Sequence, residues 1–147
     1  MPAEIMDTVP LLKRLYDTMA EPVCARHGIT RMELDILLFL ANNPGYDTAN
    51  ALVRRRGLAK SHVSSSVKTL TARGWLTACY QDGNRKTVHL RLCAAARDAV
   101  AEGQATQRRF MAALLDGFSP AELAALDNVL LRMQQNLQAA LQEKGTI

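Results

Sequence analysis

The chain has 147 residues, of which 48% are hydrophobic and 22% charged, which fits one globular domain with a hydrophobic core. Its net charge of +4 conceals an uneven distribution: residues 48–92 hold nine Lys or Arg and one acid, a local charge of +8 that leaves −4 for the rest. No apolar run is long enough to span a membrane, no secretion signal opens the chain, and three widely spaced cysteines suit neither a disulfide framework nor a zinc ribbon. We therefore expect a cytoplasmic protein whose middle segment attracts phosphate.

The N-terminal third is predicted to form two helices. Residues 4–27 carry apolar side chains at steps of three and four, which is typical of an amphipathic helix, although Pro10 and Pro22 predict a kink or break. The second helix begins at Thr30, because Thr30 and Glu33 have the spacing of a capping box. It is apolar nearly all round, so we expect it to be buried.

Two short helices with a tight connection follow. The first covers residues 48–56, with Asp47 as the expected N-cap and Gly57 as the terminator. The second covers residues 60–73 and ends at Gly74. Two short helices joined by a few residues that include Gly predict a helix-turn-helix.

The period of the pattern then changes to two. Apolar and polar residues alternate from Leu76 to Gln81 and again from Thr87 to Leu92, with Asp82-Gly83-Asn84 as a turn between them. This pattern predicts a β-hairpin, which directly after a helix-turn-helix is called a wing. Two long helices finish the chain, over about residues 94–115 and from Ser119 onward, where Glu122 and Pro120 mark the first turn.

The last helix carries a heptad-like apolar seam that favours association with another helix. Its members are Leu123, Leu126, Leu130, Met133, Leu137 and Leu141. The fold class is therefore mainly α with a small β-hairpin.

The second helix of the helix-turn-helix has the character of a DNA-recognition helix. At about 100° per residue, Ala59, Val63, Ser66, Val67 and Leu70 share an inward face, and the opposite face is small and rich in hydroxyls. Small side chains let a helix enter the major groove, where hydroxyl and basic groups contact bases and phosphates. The candidate DNA contacts on this helix are Lys60, Ser61, His62, Ser64, Ser65, Lys68 and Thr69.

The wing tip adds two more candidate DNA contacts. Arg85 is predicted to enter the minor groove and Lys86 to contact phosphate. The triplet Arg54–Arg56 has two open interpretations, which are DNA contact and interaction with the dipole of its own helix.

These segments, in this order and spacing, resemble the MarR family of bacterial winged-helix regulators, and the likeness extends from about Tyr16 to Leu137. It is carried by Gly28-Ile29-Thr30, by Leu52, Gly57 and Leu58, by Lys60-Ser61-His62-Val63 through Val67 and Leu70 to Gly74, by Asp82-Gly83-Asn84-Arg85-Lys86, by Leu90 and Leu92, and by the Leu-rich helix after Phe118-Ser119. Asn84 stands where the family usually has Asp, a residue that orients the wing arginine.

The resemblance implies a homodimer that binds a pseudo-palindromic operator in double-stranded DNA. It implies a winged helix-turn-helix over residues 31–93 and a helical dimerisation region from residues 1–30 and 94–147, interlocked as a single intertwined domain. It further implies a sequence-specific transcriptional regulator, for which we expect repression that a small anionic aromatic effector releases.

The sequence supports the sensing of an effector, an oxidant or a metal less strongly than it supports DNA binding. For an effector carboxylate we expect Arg14 or Arg31 as the partner, with Tyr16 and Met19 lining the cleft. Redox sensing through Cys24 is an alternative, because the nearby Arg26 and His27 are the kind of neighbours that lower a thiol pKa. Cys79 and His89 are expected to face each other across the wing, but two ligands do not make a zinc site, so no metal or cofactor is predicted.

Two rival classes of function remain. An enzyme is disfavoured, because the sequence has no Gly-rich phosphate loop and no hydrolase or metalloprotease motif. A winged-helix adaptor that binds proteins and not DNA is the other rival. The basic residues 48–92 favour a DNA-binding regulator over such an adaptor, since an adaptor need not concentrate positive charge on a helix and a wing.

Overall fold

The structure, a computed structural model, describes residues 3–145. In chain order the elements are α1 (Ala3–His27), α2 (Arg31–Asn42), α3 (Ala49–Arg56), α4 (Lys60–Ala72), β1 (Leu76–Gln81), β2 (Asn84–Leu92), a 3₁₀ turn (Ala94–Ala96), α5 (Arg97–Leu114) and α6 (Pro120–Lys144). This order confirms the predicted fold class, which is mainly α with a single hairpin among the described residues.

Helix α1 continues through both of its prolines. Pro10 and Pro22 lie inside it without ending it, so the expected break is wrong. Each proline removes one backbone N–H, and the hydrogen bonds of the flanking turns hold the helix. It ends at Gly28, whose φ is +61°, and the N–H of Ile29 donates to the carbonyl of Cys24 at 3.1 Å. This is the Schellman arrangement, which satisfies carbonyls at a helix C-terminus.

Helix α2 forms the centre of the core. Its capping box is confirmed, because the N–H of Glu33 donates to Thr30 Oγ1 at 3.1 Å and the N–H of Thr30 donates to Glu33 Oε2 at 3.3 Å. Helix α5 approaches α2 closely at Gly103, where a Cβ would lie 2.8 Å from Leu38 Cδ2 and 3.2 Å from Leu34 Cδ1. The buried residues of α2 are Glu33, Leu34, Ile36, Leu37, Leu38, Phe39 and Leu40.

The start of α3 differs from the prediction. Its N-cap is Thr48, whose Oγ1 accepts the N–H of Ala51 at 3.1 Å, and not Asp47. Asp47 is used elsewhere: its carboxylate lies 3.0 Å from Nδ1 of His89, and its carbonyl accepts the N–H of Leu90 at 2.7 Å. Thr48 also forms a β-bridge with His89, so the start of α3 is joined to β2.

The hairpin confirms the expected strand pairing and corrects the turn. Strands β1 and β2 are antiparallel, with Cys79 opposite His89 as predicted. Gln81 pairs with Asn84, so the turn is the dipeptide Asp82-Gly83, and Asn84 already belongs to β2. Gly83 has φ +75°, the left-handed conformation that such a tight turn requires. The register is irregular between Cys79 and Gln81, which lies toward the wing tip.

Contacts divide the chain into two compact units, one that ends at Phe110 and one that begins at Met111. The second unit contains α6, whose predicted capping box is confirmed, because Ser119 and Glu122 exchange hydrogen bonds of 2.8 and 3.2 Å. No residue of α6 is buried, and its seam includes Leu137 and Leu141 at 61% and 70% exposure. Among the described helices, none has the length and apolar character that a membrane crossing requires.

Candidate nucleic-acid interface

Helix α4 has one buried and one exposed face, as its sequence predicts. Val63, Ser66 and Leu70 are buried, and Val67 is half-buried. Ala59, which we placed on the inward face, is exposed, because it is the N-cap and precedes the first turn. The candidate DNA contacts of this helix are all exposed: Lys60, Ser61, His62, Ser64, Ser65, Lys68 and Thr69.

The exposed face of α4 has unused hydrogen-bonding capacity. Within residues 3–145, the hydroxyls of Ser61, Ser64 and Ser65 have no partner, whereas Thr69 Oγ1 donates to the carbonyl of Ser65 at 3.2 Å. Ala59 provides no side-chain cap, so the first N–H groups of the helix are also open. Hydroxyls, open N–H groups and ammonium groups on one face are the donors that contact phosphates and base edges.

The wing tip presents two further bases. Arg85 and Lys86 directly follow the first residue of β2, and both are exposed. Neither forms an ion pair or side-chain hydrogen bond with the described part of the chain. Asn84 fixes the local backbone, because its Oδ1 accepts the N–H of Lys86 at 3.0 Å. The amide therefore orders the backbone beside Arg85, although it offers that guanidinium no carboxylate.

The arginine triplet at the end of α3 divides by role. The guanidinium of Arg55 lies 4.0 Å from the ring centre of Tyr46, and that of Arg56 lies 5.3 Å from the ring centre of Phe39. Arg54 is exposed and has no partner within residues 3–145. Cation–π contacts of this kind hold a guanidinium against the protein. Arg54 is therefore the member of the triplet that is free to meet an anion.

One functional candidate was missed by the sequence reasoning. Arg73, at the end of α4, donates to the carbonyl of Gly28 at 2.8 Å and to that of His27 at 3.2 Å, and it lies 4.4 Å from the ring centre of Trp75. Its carbonyl partners are 45 and 46 positions away in the chain, so no local pattern indicates the contact.

The residues expected to bind an effector are only partly brought together. Tyr16 and Arg31 meet, with the guanidinium 4.5 Å from the ring centre, and Tyr16 also packs on Phe110 with ring centres 5.2 Å apart. Arg14 is exposed beside a shallow groove along α1, and Met19 is half-buried. The structure thus supplies an aromatic and cationic pair and leaves Arg14 apart from it.

Arg31 is already engaged by two carboxylates. It donates through Nε to Asp35 at 2.9 Å and through Nη1 to Asp17. Burial raises the pKa of Asp35 although Arg31 opposes the shift, whereas hydrogen bonds from Lys13 and Arg31 lower the pKa of the more exposed Asp17. Burial also raises the pKa of Tyr16. An incoming carboxylate would have to compete with these two acids for Arg31.

The surroundings of Cys24 differ from the expectation. Arg26 and His27 both contact Glu102 of α5, and these contacts lower the pKa of that carboxyl, with Arg26 the larger cause. Burial raises the pKa of the half-buried Cys24 thiol, so the expected lowering is wrong. A thiol with a raised pKa is less nucleophilic at neutral pH.

Comparisons with known proteins bear on the whole arrangement. Residues 27–85 match the sequence profile of the MarR family. The comparison with curated proteins gave no significant match. Within the described residues, no group of three or more His, Cys, Asp or Glu side chains could hold a metal ion.

Three solved structures have similar folds, and the first two carry the same family name. A MarR-family regulator from Listeria monocytogenes, solved with 26mer DNA, has a TM-score of 0.79 at 17% identity, over 90% of this chain and 87% of that one. A MarR protein from Peptoclostridium difficile also has a TM-score of 0.79, at 14% identity, over 95% and 91% of the two chains. BpsR from Bordetella bronchiseptica, described for regulation of its DNA binding by 6-hydroxynicotinic acid, has a TM-score of 0.67 at 18% identity, over 89% and 98%. Residues 27–85 are therefore similar to the MarR family, and most of the chain has the fold of solved MarR-family regulators.

Proposed function

We propose that this protein is a bacterial transcriptional regulator that binds duplex DNA sequence-specifically as a homodimer. The observation that carries the proposal is the exposed face of α4, whose hydroxyl and basic groups have open hydrogen-bonding capacity, beside a wing whose Arg85 and Lys86 have no partner within residues 3–145. The Listeria monocytogenes relative, which has the same fold, was solved with DNA. The protein acts in the cytoplasm, where its DNA is, and it catalyses no reaction.

Helix α4 would lie in the major groove. Its small outer residues let the backbone approach the base pairs, so that Ser61, Ser64 and Ser65 reach base edges while Lys60 and Lys68 reach phosphates. Arg85 would enter the adjacent minor groove and Lys86 would contact the sugar-phosphate backbone. His62 and Thr69 flank this face and complete the contact set.

A second copy of the chain is the proposed occupant of the exposed apolar surfaces. Helix α1 exposes Met6 at 74% and Val9 at 57%, and α6 exposes Leu137 at 61% and Leu141 at 70%. Rows of large apolar residues at these exposures are unusual on a monomer. The seam on α6 repeats at steps of three and four, which suits packing on another helix. Residues 1–30 and 94–147 would then form the dimerisation region, and the two-fold axis would match a pseudo-palindromic operator.

We further propose that the regulator is a repressor released by an aromatic acid. Regulation of DNA binding by 6-hydroxynicotinic acid is described for BpsR of Bordetella bronchiseptica, whose fold is similar. In this chain, Tyr16 and Phe110 provide aromatic faces and Arg31 provides a cation beside them. A bound carboxylate would take the place of Asp17 or Asp35 on Arg31. Met19 lies about one helical turn from Tyr16 on α1, whereas Arg14 lies apart from this pair.

Redox sensing and protein-only binding are weaker alternatives. The raised pKa of the Cys24 thiol disfavours rapid reaction with peroxide. A protein-binding adaptor would have no need of unpartnered bases on both the recognition helix and the wing. We therefore keep DNA binding as the principal function.

A salt titration of DNA binding tests the proposal. The probe is a duplex that carries the region upstream of the gene encoding this protein, and an unrelated duplex of equal length is the comparison. Log affinity should fall linearly with log salt, and Lys68→Ala should reduce the slope by about 1 per protomer. Arg108→Ala, at an exposed base of α5 without a partner among the described residues, is the matched control and should leave the slope unchanged. Absent or salt-independent binding to every duplex would refute DNA binding.

The effector proposal has its own test. We expect 6-hydroxynicotinic acid or a related aromatic acid to weaken DNA binding of the native chain, and Arg31→Gln to abolish that response. If Arg31→Gln responds like the native chain, the site lies elsewhere. A reporter gene behind the upstream region distinguishes a repressor from an activator, because deletion of a repressor raises expression.

A further inference from the structure

The C-terminal ends of two helices meet at Arg73. Helix α1 is followed by Gly28, and the C-cap of α4 is followed by Gly74, whose φ is +75°. The N–H of Trp75 donates to the carbonyl of Leu70 at 2.9 Å. Both ends thus use the same glycine-based cap. The side chain of Arg73, at the C-cap of α4, spans the gap to the last carbonyls of α1.

The contact suits a guanidinium and not a simple positive charge. Arg73 Nη1 donates to Gly28 and Nη2 donates to His27, so both prongs of the planar group are used. A cation at a helix C-terminus is further stabilised by the helix dipole. The same plane lies 4.4 Å from the ring centre of Trp75, which connects α4 to β1. An ammonium group cannot make this planar, two-pronged and stacked contact.

The far side of the same junction is held by α5. The side chain of His27 hydrogen-bonds Glu102, and Arg26 pairs with the other oxygen of that carboxylate. The end of α1 is therefore joined to α5 through side chains and to α4 through Arg73. The end of the recognition helix is thus tied to α1, and through α1 to α5.

We infer that Arg73 is a positioning residue for DNA recognition, which sets where α4 and the wing lie and does not itself contact DNA. This role rests on the proposed function, since it concerns how the DNA-binding surface is held. It distinguishes Arg73 from the unpartnered bases of residues 48–92, because two of its N–H groups donate to carbonyls and its guanidinium lies over a ring, whereas Lys60, Lys68, Arg85 and Lys86 have no partner among the described residues.

Two substitutions at Arg73 distinguish positioning from phosphate contact. Arg73→Lys keeps the charge and loses the two-pronged contact, and Arg73→Gln loses both. The probe is the upstream duplex, titrated at several salt concentrations, with affinity expressed per active protein. If Arg73 positions α4, both variants lose affinity by about tenfold while the salt slope stays at the native value. Lys68→Ala is the comparison, because it should lower the slope.

The single tryptophan supplies a second readout. Loss of the stack over Trp75 should change its fluorescence emission in both Arg73 variants without DNA, whereas Lys68→Ala should leave it unchanged. The inference is overturned if Arg73→Lys binds like the native chain while Arg73→Gln lowers the slope, because that is the behaviour of a phosphate contact. It is also overturned if both variants merely unfold at lower temperature while the folded protein binds with native affinity. Failure of the native chain to bind any duplex would instead refute the proposed function and is visible before any variant is made.

Discussion

Gly103 of α5 provides a test of how tightly α5 and α2 pack. Ala in a helix interior is favoured over Gly by about 1 kcal/mol, so Gly103→Ala would stabilise an unhindered helix. Here the new Cβ would lie 2.8 Å from Leu38 Cδ2, 3.1 Å from Leu38 Cδ1 and 3.2 Å from Leu34 Cδ1. Both leucines are buried in the core, and forcing extra volume into a packed core costs about 1–3 kcal/mol. We expect Gly103→Ala to range from neutral to about 2 kcal/mol destabilising.

A double-mutant cycle with Leu38→Ala isolates the steric effect. Leu38→Ala alone should cost about 2–5 kcal/mol, because it leaves a cavity. In that background both Cδ atoms of Leu38 are gone and Leu34 Cδ1 at 3.2 Å is the remaining close atom. Gly103→Ala should therefore be less destabilising than in the native background, and it should stabilise the protein by up to about 1 kcal/mol. The measurement is urea unfolding of all four proteins at one protomer concentration, since the stability of a dimer depends on concentration. If Gly103→Ala stabilises both backgrounds equally, the two side chains are not coupled and the close approach of α5 to α2 is wrong.

Three further predictions concern the dimer, the charge cluster and the thiol. Leu137→Glu places a charge on the exposed seam of α6 and should shift the protein to monomers in analytical ultracentrifugation, whereas an unchanged dimer would place the interface elsewhere. The pKa of Asp35 is raised in the folded protein, so its contribution to stability is present below the ordinary carboxyl pKa and is lost as pH rises. Asp35→Asn should therefore be more stable than the native chain in urea unfolding at neutral pH, and this advantage should disappear near pH 3. An advantage that is the same at both pH values would show that burial of the carboxylate is not the cause. Cys24→Ser should bind DNA and respond to peroxide as the native chain does. If the native chain responds to peroxide and the variant does not, the hypothesis of redox sensing through Cys24 is supported.

Features that depend on neighbours in sequence were predictable. The capping boxes at Thr30 and Ser119 were read from residues three positions apart, and both form as expected. The exposed face of α4 followed from the helical repeat, because Val63 and Leu70 are the apolar positions that must face the core. Helix and hairpin periods therefore indicated most of the fold and the composition of the candidate DNA-binding surface.

Features that depend on partners far apart in sequence were not predictable. Asp47 and Thr48 are both favourable N-cap residues. Thr48 is the N-cap of α3, because the carboxylate of Asp47 contacts His89 of β2. Cys24 has basic neighbours in sequence, yet Arg26 and His27 turn to Glu102 and burial sets the thiol pKa. In each case the local sequence predicts one partner for a side chain, but the side chain contacts a different residue that only the tertiary structure brings near.

Not all of the bases in residues 48–92 are available to DNA. Nine bases lie in residues 48–92, but Arg55, Arg56 and Arg73 hold aromatic rings or carbonyls of the protein. The bases without a partner among the described residues are Arg54, Lys60, Lys68, Arg85, Lys86 and Arg91. At about 0.9 released ion per phosphate contact, these would give a salt slope of at most about 5 per protomer and about 11 per dimer. A slope steeper than this would require that Arg55, Arg56 or Arg73 leave their protein partners on binding, or that bases outside residues 48–92 reach the DNA. The salt slopes of the Arg73 variants test the first explanation for Arg73.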